Sequence, residues 1–228
     1  MTIIRIIDFE TTGFEPPAEV CEVGLCDFDL EAKRIADPVS WLCGVKEMPP
    51  EVRAIHHISM VECEDKPTFD PASLVKDGIS AVAAHNADFE TKFFTPTLPM
   101  ICTYKAALRV WPDAPSHSNG ALRYWLEDHG LITPDNALTQ PAHRAGPDAY
   151  TTAYILMALF NTGQTGRQMI AWTKEPRLLP KCPLGKFKGK PWSDVEDGFL
   201  GWMLRQPTME SDLKWNAERE IARRSKGD

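Results

Sequence analysis

Apolar and polar positions along the chain predict strands first, and then strands that alternate with helices. Near the start the apolar residues are β-branched or alternate with polar ones, which is the period of a strand with one buried face. Two short apolar runs further along have the same character. The pattern predicts strands at residues 3–8, 19–29, 35–42, 80–84 and 100–102, with a hairpin turn near residues 31–33.

Helix signals fill much of the remaining sequence. Proline suits the first turn of a helix and glycine the position after its end, so Pro50 and Gly130 mark a beginning and an end. We expect helices at residues 51–56, 71–77, from about 87, 104–110, from 118 or 119 to 130, 147–160, 164–172, 193–204 and 211–224. Together the elements predict an α/β domain with a mixed sheet.

The length suits one domain with a small addition, since the chain has 228 residues. The composition changes after Gly163, and the prolines between residues 176 and 183 are typical of a linker. We predict a main domain over residues 1–163, a linker over residues 164–183 and a small C-terminal module over residues 184–228. So short a module forms only a small core and is expected to rest on the main domain or on a partner.

The composition is that of a globular protein in water. Hydrophobic residues make up 43% and charged residues 25%, which excludes a disordered or collagen-like chain. The uncharged apolar stretch at residues 149–163 is too short to span a membrane, and strand-like sequence stands where a secretory leader would begin. Six scattered cysteines without a C-x-x-C pair indicate reduced thiols, so we expect a cytoplasmic protein.

The net charge of −7 is divided unevenly along the chain. Residues 1–163 hold 12 Lys and Arg against 23 Asp and Glu, whereas residues 164–228 hold 13 against 9. An acidic body with a basic tail is compatible with a metal-dependent enzyme that acts on a polyanion, because bound cations offset part of the acidity. Ordinary surface variation explains the distribution equally well.

Two carboxylates come at the end of the first predicted strand. Asp8 and Glu10 project from the same face of that strand, because successive side chains alternate. Crowded carboxylates suit Mg²⁺ or Mn²⁺, whose preferred ligands are hard oxygens. Taken alone, the pair is more often a strand end in contact with solvent.

Two further sites place an acid at the start of a predicted helix. Asp88 follows His85 and Asn86 where a strand gives way to a helix, and Asp148 lies in the first turn of a helix that a proline opens. The helix dipole by itself explains a carboxylate at either position. His143 lies on the loop before the second helix and, taken alone, is more often a surface histidine than a base.

Taken in order, these sites resemble the motifs of the DEDD exonuclease superfamily, in its histidine subclass. The motifs are Asp-x-Glu-Thr-Thr-Gly from residue 8, His-Asn-x-x-Phe from residue 85, carrying Asp88, and His-x-x-x-x-Asp from residue 143. The tyrosine subclass has tyrosine where this chain has Arg144. Similarity to the exodeoxyribonuclease X family extends along nearly the whole chain, through residues 54–58, 100–103, 111–112 and 185–190.

The resemblance implies a ribonuclease H-like fold, a mixed sheet flanked by helices, and hydrolysis of DNA from the 3′ end to nucleoside 5′-monophosphates. It implies two Mg²⁺ ions, for which Mn²⁺ can substitute, about 3.5–4 Å apart across the phosphate. Asp8 would bridge both ions, Glu10 and Asp148 would hold the ion on the nucleophile side, and Asp88 the other. His143 would take the proton from the attacking water, because an imidazole titrates near neutral pH.

Several residues near the first motif are candidates for holding the last nucleotide. Phe14 follows the Thr-Thr-Gly turn and is expected to stack on or wedge against the terminal base, although a place in the core is nearly as frequent. Backbone groups of Thr11 and Gly13 are expected to receive the 3′ hydroxyl. His56 and Asn86 are weaker candidates for substrate binding.

Basic residues supply candidates for phosphate contacts. Lys105 and Arg109 lie four apart on one helix face, where they meet either phosphates or only solvent. The densest cluster, near the C-terminal module, is expected to contact DNA or a protein partner, or else serves solubility. It consists of Lys181, Lys186, Lys188 and Lys190. The expected partner is single- or double-stranded DNA with a free 3′ end. No interaction with a membrane is expected.

Other functions stay open at this point. Contacts to the 2′ position decide between DNA and RNA, and no motif reports them, so an exoribonuclease or a polymerase-associated proofreading exonuclease is an alternative. A nucleic-acid-binding protein that has lost catalysis is another, although all five reactive residues are present. An acidic α/β domain with coincidental carboxylates is the remaining explanation.

Overall fold

A mixed β-sheet forms the centre of the protein, whose computed structural model describes residues 2–226. The strands are β1 (Ile3–Thr11), β2 (Val20–Asp29), β3 (Arg34–Ile35), β4 (Val39–Leu42), β5 (Ile79–Ala84) and β6 (Met100–Cys102). They lie in the order β3-β2-β1-β5-β6, and β4 also pairs with β2. β1 is antiparallel to β2 but parallel to β5, which is parallel to β6. The mixed sheet predicted from the sequence is confirmed.

Helices flank this sheet and continue beyond it. They are α1 (Pro50–His56), α2 (Met60–Cys63), α3 (Ala87–Glu90), α4 (Thr103–Val110), α5 (Asn119–Asp128), α6 (Ala145–Asn161), α7 (Gly166–Lys174), α8 (Asp197–Arg205) and α9 (Ser211–Ser225). Single 3₁₀ turns lie at Pro71–Leu74, Gly185–Phe187 and Trp192–Asp194. In the part of the chain that the structure describes, no helix has the length and apolar character needed to cross a membrane.

Apolar layers cover both faces of the sheet. Ile6 and Phe28 pack with α4, α5 and α6 on one face, whereas Ile7 and Phe9 pack with Leu74 on the other. Consecutive residues of β1 thus enter different layers, since side chains alternate along a strand. All six cysteines are buried and free, and the reduced state expected for them stays a prediction. The cytoplasmic location stays a prediction.

Several elements differ from the sequence prediction. The helix α2 was not predicted, and the helix expected at residues 193–204 is a 3₁₀ turn at Trp192–Asp194 followed by α8. The strand expected at residues 35–42 is divided into β3 and β4, because Pro38 has no N–H to donate to a ladder. The helix expected at residues 71–77 is a single 3₁₀ turn that ends at Leu74. Val75 has an extended backbone there and packs against the apolar layer below it, which ends the turn early.

The C-terminal residues form a small core of their own. Phe187, Trp192 and Leu200 are buried in it, together with residues of α9. The Trp192 indole N–H donates to the Leu179 carbonyl at 2.8 Å, which ties the preceding segment to this core. Within the predicted linker, α7 is packed on the main domain and buries Met169 in its apolar layer. The division into residues 1–163, 164–183 and 184–228 stays a prediction.

Candidate active site

Three carboxylates from distant parts of the sequence converge at one edge of the sheet. Asp8 and Glu10 lie on β1, two residues apart and therefore on one face, and Asp148 lies in the first turn of α6. One carboxylate oxygen from each of them lies within 4.8 Å of the others. An all-oxygen donor set at this spacing suits a hard divalent cation, so the residues present fit the metal that the sequence predicted.

An ion pair with the buried Glu22 carboxylate fixes the start of α6. The Arg144 guanidinium donates to both carboxylate oxygens of Glu22 at 2.8 Å, and the Ala145 N–H donates to the same carboxylate at 3.0 Å. Glu22 stands opposite Glu10 in the β1–β2 register and is 2% exposed. The pair therefore sets where Asp148, four residues after Arg144, meets the strand.

A glycine permits this approach of backbone to backbone. Gly24 is paired with Asp8 in the β1–β2 register. A Cβ atom on Gly24 would overlap the Ala145 carbonyl group, so any larger residue would push α6 away from the sheet. The close contact of α6 with β2 thus depends on the absence of a side chain at this one position.

Burial and mutual repulsion make ionisation of the triad costly. Burial raises the pKa of Asp8 well above its usual range, and the charges of Asp148, Glu10 and two further acids raise it more. Burial followed by the charge of Asp148 raises the pKa of Glu10 to about 8, against the opposing effect of Arg144. The pKa of Asp148 is raised to about 6, again mainly by burial. A bound cation would reverse this cost.

The structure does not bring Asp88 into this triad. Its side chain is 57% exposed and pairs with the Lys105 ammonium at 2.9 Å. Glu90, two residues further along α3, is 3% exposed instead, and its Oε2 atom is buried without a hydrogen-bond partner among the described residues. Burial raises the pKa of Glu90, and its charge in turn raises that of Asp8. Glu90 is thus a further buried acid whose charge acts on the triad.

The sequence held a weak signal for Glu90. Asn86 adopts a left-handed backbone with φ 66°, which turns the chain between β5 and the single turn of α3. Asp88 consequently points outward and Glu90 inward. Both are acids after a buried strand, and no periodicity can assign a face within one helical turn.

The expectation that Lys105 and Arg109 meet phosphates or solvent is wrong. Lys105 is 5% exposed and donates to the Thr173 carbonyl at 3.0 Å in addition to its pair with Asp88. The Arg109 guanidinium pairs with Glu175 at 2.8 Å. The packing of α7 against α4 supplies these partners. The sequence of α4 alone does not reveal contacts that α7 makes.

His143 lies at the mouth of a cleft of about 380 Å³ that Asp8 and Asp148 line. Its side chain is exposed and its backbone is left-handed, with φ 58°. Its backbone N–H donates to the Asp148 carboxylate at 3.2 Å, which holds the loop beside the triad. The structure therefore places His143 beside the carboxylates, with its side chain exposed.

Two further residues line the cleft, and the sequence predicted no role for either. His85 is bonded on both ring nitrogens, to the Thr103 hydroxyl at 2.9 Å and the His117 carbonyl at 2.7 Å. Burial lowers its pKa to about 4, so it is neutral and serves to join these segments. The Asn119 amide donates to the Asp148 carbonyl at 3.1 Å, while its Oδ1 atom is buried without a partner among residues 2–226.

The predicted substrate-binding residues lie around the turn after β1. Phe14 is 69% exposed, so it is not part of the core, and the Lys92 ammonium donates to its carbonyl at 3.2 Å. The Thr11 hydroxyl donates to the Gly13 carbonyl at 2.7 Å and closes the turn. His56, in contrast, is 2% exposed and accepts a hydrogen bond from a backbone N–H two residues on. Its part in substrate binding stays a prediction, as does that of Asn86.

Comparison with known proteins identifies the family. The RNase_T family profile, described as Exonuclease, matches residues 6–156. Exodeoxyribonuclease 10 of Escherichia coli K12 is 34% identical over 209 residues, which are 89% of this chain and 90% of the relative. A solved structure of exonuclease X in complex with 5′ overhanging duplex DNA superposes with a TM-score of 0.62 at 32% identity, covering 75% of this chain and 99% of that one.

The fold is shared more widely than the sequence. Cell-death related nuclease 4 superposes with a TM-score of 0.53 at 20% identity, over 72% of this chain and 65% of that one. This likeness concerns the fold alone. The resemblance inferred from the motifs is confirmed by the closer matches, and the chain belongs to the RNase_T family of exonucleases.

Proposed function

We propose that the protein is a Mg²⁺-dependent 3′→5′ exodeoxyribonuclease that releases nucleoside 5′-monophosphates. The convergence of Asp8, Glu10 and Asp148 within 4.8 Å carries the proposal, because such a cluster suits phosphodiester hydrolysis assisted by divalent cations. The match to exodeoxyribonuclease 10 over 89% of the chain supports DNA as the substrate.

The residues that would hold the ions are the triad and Glu90, not Asp88. Asp88 already has the Lys105 ammonium as its cation at 2.9 Å, whereas Glu90 is buried and has a free oxygen. When bound, the ions would polarise the phosphate, activate water and stabilise the charge on the leaving oxygen. Mn²⁺ has the same preference for oxygen ligands and is expected to substitute.

In the proposed mechanism His143 is the general base. Its imidazole is exposed at the mouth of the cleft and takes a proton from the attacking water. The water oxygen bonds to phosphorus as the bond from phosphorus to the 3′ oxygen breaks, and the mononucleotide leaves with its 5′ phosphate. The hydrogen bond from the backbone N–H of His143 to the Asp148 carboxylate holds this residue beside the acids.

The turn after β1 would hold the last nucleotide. Phe14 is sufficiently exposed to stack on the terminal base, a contact worth about 1–3 kcal/mol. The hydrogen bond from the Thr11 hydroxyl to the Gly13 carbonyl fixes the backbone that would receive the 3′ hydroxyl. Asn86 and His56 complete the proposed set, and His56 interacts with the backbone of Thr11 in this turn.

Digestion of 5′- and 3′-labelled oligonucleotides, with Mg²⁺ or with EDTA, tests polarity, metal dependence and product size together. Asp8→Ala and Asp148→Ala should abolish cleavage with the fold intact, and substantial activity in either would contradict the assignment. His143→Ala should lower kcat far more than DNA affinity. Labelled DNA and RNA oligonucleotides in one reaction decide between the deoxyribonuclease and the ribonuclease.

The choice between Glu90 and Asp88 has its own matched test. Glu90→Gln should lower kcat and raise the Mg²⁺ concentration needed for half-maximal activity, because it removes a buried carboxylate oxygen whose charge acts on the triad. Asp88→Asn removes an equal charge from the exposed member and should change both values much less. The reverse order of effects would restore Asp88 as the fourth ligand.

A further inference from the structure

A ladder of aromatic rings crosses the C-terminal core and ends at the surface. Phe187 is 4% exposed, and its ring centroid lies 5.0 Å from that of Phe199. Phe199 lies 5.1 Å from Trp202 with 32° between the ring planes. Residues three apart share a face of α8, which explains the second contact. Trp202 is 41% exposed, so the last ring of the ladder is open to solvent.

Lysines surround the buried end of this ladder. The ammonium groups of Lys186 and Lys190 lie 5.0 Å and 5.6 Å from the centroid of the Phe187 ring. Lys188 lies between them in sequence, is exposed, and has no carboxylate partner among residues 2–226. Lys186 also pairs with Glu196 at 3.0 Å. We call Phe187, Phe199, Trp202, Lys186, Lys188 and Lys190 the aromatic–lysine surface.

The charge of the chain favours an anionic partner here. Residues 1–163 contain 12 Lys and Arg against 23 Asp and Glu, so the part with the triad repels a polyanion. Residues 164–228 contain 13 against 9. The aromatic–lysine surface therefore lies in the part of the chain that attracts nucleic acid.

We propose that the aromatic–lysine surface binds single-stranded DNA outside the active site. Proteins hold single strands without sequence preference by stacking bases on aromatic rings beside a positive groove. Trp202 supplies an indole that is 41% exposed, and the exposed Lys188 and Lys190 supply charges for the phosphates. An unpaired base can stack on this indole, whereas a base within a duplex is already stacked on both sides. The proposal rests on the proposed function for its choice of DNA over other anions.

The consequence would be a second hold on the strand being degraded. The active site contacts only the 3′ end, and each cycle shortens the strand by one nucleotide. A separate contact would keep the strand near the acidic domain between cycles and raise its effective concentration. Its contribution should therefore appear on long strands and be absent on strands too short to reach both places.

Binding of a dye-labelled single-stranded 20-mer to the full chain in EDTA, measured by fluorescence anisotropy, tests the proposal without turnover. Trp202→Ala should weaken binding about 5- to 150-fold, which corresponds to the about 1–3 kcal/mol of one stacked base. Tyr124→Ala is the matched control, since Tyr124 is an aromatic residue with 52% exposure on α5. It should leave the affinity unchanged.

The lysines are tested through the salt dependence of the same binding. Replacing Lys188 and Lys190 together with alanine should reduce the slope of log K against log salt by about 1–1.5, at about 0.7 per phosphate contact on single strands. As a control, replacing the exposed Lys33 and Lys76 of the main domain with alanine removes two positive charges outside the aromatic–lysine surface. It should leave the slope unchanged. Thermal melts of every variant confirm that the fold is kept.

The activity assay separates this proposal from the proposed function. For a 20-mer in Mg²⁺, Trp202→Ala should raise KM. For a tetranucleotide, it should leave both kcat and KM unchanged. Affinity equal to that of the Tyr124→Ala control, or an equal loss for single strands and blunt duplex, would overturn the single-strand surface. If Trp202→Ala weakens DNA binding but the wild type hydrolyses no DNA, the proposed nuclease activity is refuted. The proposed binding surface would then still stand.

Discussion

Replacing Glu10 with glutamine is expected to stabilise the metal-free protein at neutral pH, although it removes a predicted metal ligand. The pKa of Glu10 is raised from 4.5 to about 8, mainly by burial and then by the charge of Asp148. In the folded protein at pH 7 the side chain is therefore neutral, whereas in the unfolded chain it is ionised. Glutamine has nearly the shape of the neutral acid and takes up no proton on folding.

The magnitude follows from this proton uptake. An acid whose folded-state pKa is raised contributes fully to stability below its unfolded pKa of 4.5, and the contribution is lost as pH rises towards the folded value of about 8. At pH 7 the loss is about 3 kcal/mol, at about 1.4 kcal/mol for each pH unit above the unfolded pKa. For a chain of this length that corresponds to about 6–12 °C in Tm.

Thermal melts of the wild type and of Glu10→Gln from pH 5 to pH 8.5 measure the effect. In EDTA the two Tm values should be close at pH 5 and separate as pH rises, with the variant higher. In millimolar Mg²⁺ the wild type should gain more than the variant, since only it keeps the complete triad. Glu218→Gln, which changes an exposed carboxylate of α9, should follow the wild type at every pH.

Two outcomes would refute this reasoning. Parallel pH profiles for the wild type and Glu10→Gln in EDTA would show that Glu10 ionises in the folded protein as readily as in the unfolded one. An equal gain in Tm from Mg²⁺ in both proteins would show that the ion does not need the Glu10 carboxylate. The first result would remove the electrostatic argument for a cation in the cleft, and the second would remove Glu10 from the ligand set.

The start of α6 gives two further predictions. Arg144→Met leaves the buried Glu22 carboxylate unpaired, so urea unfolding should show a loss of about 3–5 kcal/mol, much of it restored by adding Glu22→Gln. Gly24→Ala forces the Ala145 carbonyl away and should lower kcat about 100-fold by displacing α6. Gly146→Ala, whose new Cβ meets a side chain at 3.3 Å, should keep most activity. Equal kcat values for the two alanine variants would contradict this account.

The sheet could be predicted from the sequence because its pattern is local. β1 and β2 show the strand period in their own residues, and their ends fall close to the predicted ones. The break between β3 and β4 also has a local cause in Pro38, which the pattern of apolar residues did not reveal. A helix of several turns, or a strand of several residues, repeats its pattern of apolar positions often enough for the period to be recognised.

The site was predictable only where side-chain direction follows from a period. Asp8 and Glu10 share a face because β1 is a long strand, and they meet Asp148 as expected. α3 is a single turn after a left-handed residue, so the sequence could not show that Glu90 faces inward and Asp88 outward. Lys105 is buried by α7, about 70 residues further along the chain, and such a contact leaves no trace in its own helix.

The acids around the cleft fall into two groups: some are paired with an Arg or Lys side chain, and others have no such cation beside them. Glu22 is neutralised by Arg144 and Asp88 by Lys105, both at hydrogen-bonding distance. The triad and Glu90 have no Lys or Arg partner within the described residues, although burial makes their charge more costly than that of Asp88. Had selection acted on stability alone, apolar residues would serve better at these buried positions. Their unpaired state is therefore the expected cost of a site that binds its cations from solution.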